Sequence, residues 1–218
     1  MAQTGCYNSF QCCAMRVARL SATGAPVTGA DNGYVLAAPV MVQLQPDFME
    51  GVELTLENAC GTLSGYYKQQ SQLKKWDINF ELTELDSELL ELLTGVSLLE
   101  VGPETVGHQF SRVGSCDPYD LNGVSIELWS KRWDNCQTPS DGDLYWHWAL
   151  ARAFLQIGDI KFENDFMTIP VKGYLEENPN YGDGPWHDFP TGTLDSIAAV
   201  WQDTTLPTPE CGYVSVPA

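Results

Sequence analysis

Apolar and polar residues alternate with a period of two through much of this sequence, and this feature limits its fold most strongly. The stretches Val52–Glu57 and Lys75–Leu82 alternate without a break. Successive side chains of a β-strand point to opposite faces, so this period predicts strands with one buried face. The other predicted strands are Ala14–Leu20, Tyr34–Leu44, Val124–Trp133, Leu144–Phe154 and Asp165–Leu175. The sequence therefore predicts a mainly β protein.

The connections between these stretches favour tight turns. Thirteen prolines and nineteen glycines are spread along the chain, which is typical of a turn-rich β protein. Ser21–Gly33 is predicted to be a loop, and Asn58–Gly61 a turn. Pro39 interrupts the predicted strand Tyr34–Leu44, which indicates an edge position or a bulge.

One segment, residues 84–95, departs from this pattern and predicts the single helix. It is rich in helix formers. Asp86 can accept hydrogen bonds from free amides at the helix start, and Gly95 can adopt the left-handed turn at its end. Its leucines at 85, 89, 92 and 93 share a face, so one side of the helix must be buried. We expect an antiparallel β-sandwich or barrel with one flanking helix.

The charge of the chain restricts its partners. Eleven Lys and Arg residues stand against 29 Asp and Glu residues, a formal net charge of −18. So acidic a surface repels phosphate, which excludes tight sequence-independent binding to nucleic acid and to an anionic membrane. No run approaches the ~18 apolar residues of a membrane span, and the first residues lack the pattern of a signal peptide. We expect a cytoplasmic product with one domain over residues 1–218, an N-terminal arm of about 1–12 and a C-terminal extension of about 191–218.

Motifs for catalysis or cofactor binding are incomplete. Gly102–Gln109 has the glycine spacing of a phosphate loop, but it lacks the Lys and Ser/Thr that hold phosphate and magnesium. The histidines at 108, 147 and 187 are far apart, and His147 is interpreted as an ordinary strand residue. Asp117–Gly123 and Asp141–Asp143 offer oxygen ligands for calcium without the calcium-loop spacing, so turns are favoured over a calcium site. We expect no catalytic residue, no cofactor and no required metal.

Seven cysteines lie at positions 6, 12, 13, 60, 116, 136 and 211. The odd count does not suit a secreted disulfide framework, and no Cys-x-x-Cys pair marks a zinc or redox site. Buried free thiols are the favoured interpretation, with a structural disulfide or metal site as the alternative. The role of the N-terminal group Cys6, Cys12 and Cys13 stays open.

The aromatic side chains suggest a surface for assembly. A long loop, Asn178–Pro190, carries Tyr181, Trp186 and Phe189. Loops of this length are usually functional or disordered, and aromatic residues argue against disorder. We predict that these three side chains would otherwise lie in water and therefore form an interface between subunits. The seven tryptophans also exceed the needs of one modest core, and aromatics favour interfaces.

Three blocks in order along the chain, Cys13–Ala30, Leu73–Gly95 and Glu177–Pro190, resemble major tail tube proteins of long-tailed, non-contractile phages, especially those that infect actinobacteria. The first resembles the opening strand and loop, the second the strand that leads into the one helix, and the third an aromatic Gly-Pro loop. The resemblance implies a β-sandwich whose hexameric rings stack into a tube that conducts DNA during ejection. It implies no catalytic residue. The implied partners are further copies of the chain and the tape measure, tail tip and tail terminator proteins, in a virion assembled in the bacterial cytoplasm.

Two other classes of function remain as alternatives. One is a soluble β-sandwich that binds carbohydrate through the tryptophan-rich strand 144–154. The other is a glycoside hydrolase with a pair of carboxylates. For a tube, closing a ring would pair the edge strands that a monomer leaves exposed. The net charge would then predict an acidic or neutral lumen through which DNA slides without tight binding.

Overall fold

The computed structural model describes residues 7–37, 39–83, 86–110, 122–134, 145–160, 167–189, 197–202 and 206–218. It shows a mainly β protein with antiparallel strands and one helix, as the sequence predicts. The elements are β1 (Tyr7–Arg19), β2 (Gly29–Ala37), β3 (Met41–Met49), β4 (Glu53–Glu57), β5 (Leu63–Lys68), β6 (Gln72–Leu82), α1 (Ser87–Thr94), β7 (Ser97–Val101), β8 (Glu104–Gln109), β9 (Val124–Asp134), β10 (Tyr145–Ile157), β11 (Ile169–Leu175), β12 (Ile197–Gln202) and β13 (Val214–Val216).

Nine strands form one antiparallel sheet in the order β13-β2-β1-β9-β10-β11-β6-β3, with β12 also paired to β10. The path of the sheet is open at β13 and β3, so the described strands form no closed barrel. Two further hairpins, β4–β5 and β7–β8, are separate from this sheet. The long strand β10 joins the two halves of this sheet, β13-β2-β1-β9 and β11-β6-β3. It pairs with β9 and β12 along its first part and with β11 along its last part.

The main core lies between the two halves of the sheet and α1. Alternate residues of the strands point into it, as their period of two requires. Its largest contributions come from Met15 and Val17 of β1, Tyr34 of β2, Ile78 and Phe80 of β6, Ile126 of β9, Leu150 of β10, Val171 of β11, and the leucines of α1. Both halves therefore share one apolar interior, which is the arrangement of a sandwich.

The helix α1 begins and ends as its sequence predicts. The Asp86 carboxylate accepts hydrogen bonds from the backbone amides of Glu88 (2.8 Å) and Leu89 (3.3 Å). Gly95 adopts a left-handed conformation with φ 69° and donates its amide hydrogen to the carbonyl of Glu91. The leucines at positions 89, 90, 92 and 93 are buried. Within the described ranges, no helix has the length and apolar character needed to cross a membrane.

The structure corrects the interpretation of Pro39. The predicted strand Tyr34–Leu44 is two strands, β2 and β3, which lie near opposite ends of the sheet. Proline cannot donate a ladder hydrogen bond, so the break between the strands falls beside it. Residues 7–12 of the expected N-terminal arm form the start of β1, and the expected C-terminal extension contributes β12 and β13 to the sheet.

Candidate functional site

The predicted aromatic loop, called here the covering loop (residues 178–189), packs on the face of the sheet opposite the main core. Tyr181 is 1% exposed and Phe189 is 5% exposed, and both pack against Ala149 and Ala151 of β10. Trp186 is half-buried. The expectation that Tyr181 and Phe189 would lie in water without a partner subunit is therefore wrong, and the interface role of the three residues stays a prediction. The short alanine side chains of β10 leave space above the sheet, and the rings of the loop fill it.

Hydrogen bonds fix the covering loop to its own subunit. The buried Asn178 donates its side-chain amide to the carbonyls of Gly24 (2.8 Å) and Ala151 (3.0 Å). Gly184 has φ 87°, and a Cβ there would lie 3.2 Å from the Tyr181 hydroxyl. Both the positive φ and the close approach favour glycine at this position. The loop is thus a built part of the fold.

Beneath the covering loop lies a group of charged and polar side chains, called here the Arg16 cluster: Arg16, Glu127, His147, Tyr181 and Asp188. The guanidinium of Arg16 donates to Glu127 (Nε–Oε2 2.8 Å) and to Asp188 (Nη2–Oδ2 2.6 Å). The Tyr181 hydroxyl donates to Glu127 Oε1 (3.0 Å), and His147 Nε2 lies 3.3 Å from Glu127 Oε2. Glu127 therefore has three partners, and Arg16 and Tyr181 each tie the sheet to the loop.

Aromatic rings enclose the charged groups. The guanidinium of Arg16 lies 4.9 Å from the ring of Trp129 and 3.9 Å from the ring of Trp186, on the loop. The His147 ring stacks on Trp129 at 4.3 Å and meets the edge of Phe189 at 5.3 Å. These contacts add cation–π and ring-stacking attraction to the ion pairs.

The position of Glu127 explains the direction of its pKa. Burial alone would raise the pKa of this fully buried carboxyl group, but the hydrogen bond with His147 and the charge of Arg16 together lower it below its ordinary value. Burial and the neighbouring charge of Glu127 raise the pKa of Tyr181, which keeps its hydroxyl protonated as a donor. The cluster is thus an ion pair with hydrogen-bonded partners, held inside the protein.

The donor set of this cluster includes three possible metal ligands. Glu127, His147 and Asp188 each offer one atom, and these atoms lie within 4.8 Å of one another. However, Arg16 already supplies positive charge to both carboxylates through direct hydrogen bonds. The same contacts distinguish this pair from the carboxylates of a glycoside hydrolase, of which one must hold a proton at working pH. The geometry favours a structural ion pair that fastens the loop.

The sequence identified only part of this cluster. Trp146, His147 and Trp148 alternate in facing, as expected, and His147 is the one that points toward the loop. The sequence singles out neither Arg16 nor Glu127, because a charged residue at alternate strand positions normally faces water. Their spacing of 111 residues gives no local signal, so only the pairing of β1 with β9 reveals them.

The other predicted sites have different outcomes. Gly102–Gln109, the incomplete phosphate loop, is the turn and second strand of the β7–β8 hairpin. There His108 Nδ1 lies 3.0 Å from the Ser87 hydroxyl, which ties the hairpin to α1. His187 is exposed and pairs with Asp183 (2.9 Å). Asp141–Asp143 and residues 117–121 of the other calcium candidate lie outside the described residues.

Four of the seven cysteines are in the described part, and Cys12, Cys60 and Cys211 are free thiols. Cys12 and Cys13 are half-buried, whereas Cys60 and Cys211 are exposed. The expectation of buried thiols is therefore wrong for these last two. Burial and the neighbouring Cys13 raise the pKa of Cys12 to about 11, which leaves it protonated at neutral pH. The cysteines at 6, 116 and 136 lie outside the described residues.

The exposed apolar surface lies instead on the β4–β5 hairpin. Residues 50–71, called here the long hairpin, extend the β3–β6 pair through a hydrogen bond from the Gln69 amide to the Val52 carbonyl (2.9 Å). Every residue of β4 and β5 except Gly65 is exposed. The expected turn at its tip is confirmed, because the Asn58 side chain accepts from the amides of Cys60 and Thr62.

The two faces of the long hairpin differ in polarity. Leu54 pairs with Tyr67, and Leu56 pairs with Gly65, so by alternation these four residues share a face with Val52. The opposite face carries Glu53, Thr55, Glu57, Tyr66 and Lys68, and a register shift after Leu56 pairs Leu63 with Glu57 on this face. Four large apolar side chains, Val52, Leu54, Leu56 and Tyr67, thus project from one side of a hairpin that has no cover in its own chain within the described ranges.

A second, smaller apolar surface lies on the β7–β8 hairpin, called here the short hairpin (residues 97–109). Leu98 and His108 are half-buried toward the body, whereas Leu99, Val101 and Val106 are exposed. By contrast, none of the described tryptophan side chains is exposed. The exposed large apolar groups are instead leucine, valine, methionine, tyrosine and phenylalanine, and the suggestion that tryptophans favour an interface stays a prediction.

No protein-family model matches the sequence, and a search of curated proteins found no match.

Proposed function

We propose that this protein is a structural subunit that assembles with copies of itself, and that the assembly is the hexameric, stacked tail tube of a long-tailed phage. The observation that carries the proposal is the exposed apolar face of the long hairpin. An isolated two-stranded hairpin is at best marginally stable in water. A hairpin that also exposes four large apolar side chains on one face gains stability when a partner covers it.

The energy available from this face suits a repeated contact. The apolar side chains of the hairpin are more than half exposed. Burial of the exposed part of each side chain is worth roughly 1–2 kcal/mol. The four on one face give roughly 4–8 kcal/mol before the cost of association, which is itself about 4–15 kcal/mol. One contact therefore gives weak association, whereas the linked contacts of a ring or tube reinforce one another.

The ends of the sheet also support assembly. β3 has nine residues and lies at one end, and the three-residue β13 lies at the other. The outer edge of β3 has no neighbour among the described strands, so its free amides and carbonyls can pair with a strand of another copy. Pairing between different ends of successive copies is head-to-tail, and it closes into a ring when the rotation between copies divides a full turn.

The resemblance to tail tube proteins adds the hexamer, the stacking and the phage tail. On this proposal the chain acts in a virion that is assembled in the host cytoplasm, with tape measure, tail tip and tail terminator proteins as partners. DNA passes through the lumen. The net charge of −18 favours a lumen that repels the phosphate backbone, so the duplex slides without tight binding.

Two adjacent tyrosines provide a matched test. Tyr67 lies on the apolar face of the long hairpin and is 59% exposed, and Tyr66 lies on the polar face and is 56% exposed. Purified protein is concentrated and observed by sedimentation velocity and negative-stain electron microscopy. Wild type should form rings or tubes, Tyr67→Ser should raise the required concentration by roughly tenfold, and Tyr66→Ser should behave like wild type. A wild-type protein that stays monomeric at millimolar concentration would contradict the proposal.

The two alternatives receive less support from the same contacts. The carbohydrate-binding alternative needs exposed aromatic rings on strand 144–154. There Trp148 packs against the main core and donates to the Ser130 hydroxyl (2.9 Å). The hydrolase alternative needs a carboxylate pair open to substrate, whereas Glu127 is fully buried against Arg16. A glycan array and a glycosidase assay test these alternatives directly.

A further inference from the structure

The long hairpin requires a surface to cover it, and the described part of the chain offers one that matches. Outside residues 40–82, the exposed large apolar side chains in the described part of the chain are Leu99, Val101, Val106, Phe110 and Tyr174. Four of these five lie on the short hairpin or directly after it. Outside the long hairpin and the strands β3 and β6 from which it extends, the short hairpin thus carries most of the exposed apolar surface of the described residues.

We propose that the long hairpin of one copy docks on the short hairpin of the next copy, so that the contact joins two different surfaces. This inference rests on the proposed function. A contact between two long hairpins would be isologous and would end at a pair. A contact between different surfaces leaves one of each free on every pair, and it therefore propagates.

The local geometry of the short hairpin suits this occupant. Leu99 and Val101 alternate onto one face, and the cross-strand neighbour of Leu99 is Gly107. A Cβ at Gly107 would meet nothing within 4 Å, so another backbone can approach closely there. The other face is fastened to α1 by the Ser87–His108 hydrogen bond. The short hairpin thus presents a supported apolar face.

Length and area also favour a copy of the chain as the occupant. From residue 50 to the tip at residue 60 a strand rise of ~3.3 Å gives about 33 Å, whereas a chain of this length has a radius of gyration of ~17 Å. The hairpin can therefore lie across much of a neighbour. The four apolar side chains of its apolar face supply roughly 150–300 Å², less than the ~800 Å² per partner of a standard stable interface. Such a contact suits an assembly in which it is repeated many times.

Two double variants test the pairing. The long-hairpin variant carries Leu54→Ser and Tyr67→Ser, and the short-hairpin variant carries Val101→Ser and Val106→Ser. All four side chains are more than half exposed, so both variants should fold, which circular dichroism and urea unfolding check. Each variant alone should stop at a smaller species than wild type in sedimentation velocity.

The decisive measurement is an equimolar mixture of the two purified variants. The intact long hairpin of one variant can dock on the intact short hairpin of the other, and no further contact between a long and a short hairpin can form. The mixture should therefore produce a species of twice the mass of either variant's own species, and nothing larger. Tyr66→Ser serves as the control and should assemble fully.

Other results separate the two ways in which the reasoning can fail. If wild type assembles and the short-hairpin variant assembles equally well, the pairing is overturned while the proposed function stands. If mixed species form only when both components of the mixture carry an intact long hairpin, the contact is isologous. That result would also overturn the pairing. If wild type stays monomeric at millimolar concentration, both the proposed function and the pairing are overturned.

Discussion

Replacement of Phe189 by alanine should destabilise the monomer, although the sequence alone predicts an effect on assembly. Phe189 is 5% exposed and packs on Ala149, Tyr181 and the edge of the His147 ring. Removal of a buried phenylalanine ring leaves a cavity and typically costs 3–5 kcal/mol. The surrounding groups here are fixed by the Arg16 ion pair, so little collapse can fill the space, and we expect a loss of about 3–4 kcal/mol.

This magnitude sets a clear observable. For a domain of this size, 1 kcal/mol lowers the melting temperature by about 2–4 °C, so Phe189→Ala should melt roughly 6–16 °C below wild type. Urea unfolding followed by tryptophan fluorescence should show a lower midpoint with an unchanged slope. Fluorescence is a suitable probe because Trp186 lies on the covering loop, over Arg16.

The matched control is Leu54→Ala on the long hairpin. Leu54 is 60% exposed, so this change should alter monomer stability by less than ~0.5 kcal/mol while it weakens assembly. An unfolding midpoint of Phe189→Ala equal to that of wild type would refute the packing of the covering loop. Loss of assembly by Phe189→Ala with an unchanged midpoint would restore the original interpretation of the loop as an interface.

Further changes test the hydrogen bonds and charges. The pKa of Glu127 is lowered from its ordinary value of 4.5, so its ionised form contributes stability above that pH, and this contribution is lost as the pH falls through the folded-state pKa. Glu127→Gln should therefore reduce the fall of the urea midpoint with decreasing pH below pH 4.5, and a fall equal to that of wild type would contradict this. Tyr181→Phe removes one donor to a charged acceptor and should cost about 1.5–3 kcal/mol in urea unfolding. Asn178→Ala leaves two backbone carbonyls without their donor and should cost about 1–3 kcal/mol, with susceptibility of the loop to proteolysis as the second measurement. Added salt should promote assembly by screening the acidic subunits, and a mobility shift of duplex DNA at low salt would oppose the expected acidic lumen.

The strands and the helix could be predicted because their signals are local. Alternation over Lys75–Leu82 and the two capping residues of α1 lie within a few positions of the structure that they specify. The break at Pro39 was misassigned, because one apolar stretch can continue a strand or begin another. That choice depends on whether Tyr34 and Leu44 meet the same part of the sheet, and in the structure they lie in strands near its opposite ends.

The Arg16 cluster could not be predicted, because its members come from β1, β9, β10 and the covering loop. Arg16 and Glu127 occupy alternate strand positions, the same pattern that a solvated face produces, and Asp188 lies on the loop. Burial of Glu127 depends on the arrival of Arg16 from a partner strand and of Tyr181 from a loop. Likewise, the aromatic residues of the loop have the composition of an interface, and only the alanine positions of β10 make them part of the interior.

The long hairpin presents the opposite case, and it shows why alternation alone cannot distinguish a core from an assembly surface. Leu54 and Leu56 alternate with glutamate and threonine just as Ile78 and Phe80 alternate with polar residues. In β6 the apolar face meets the other half of the sheet and α1, whereas in β4 it meets solvent. Exposure to water is unfavourable for the apolar face of β4 just as it is for the apolar face of β6. The same pattern that folds β6 within one chain therefore favours association of β4 with another chain.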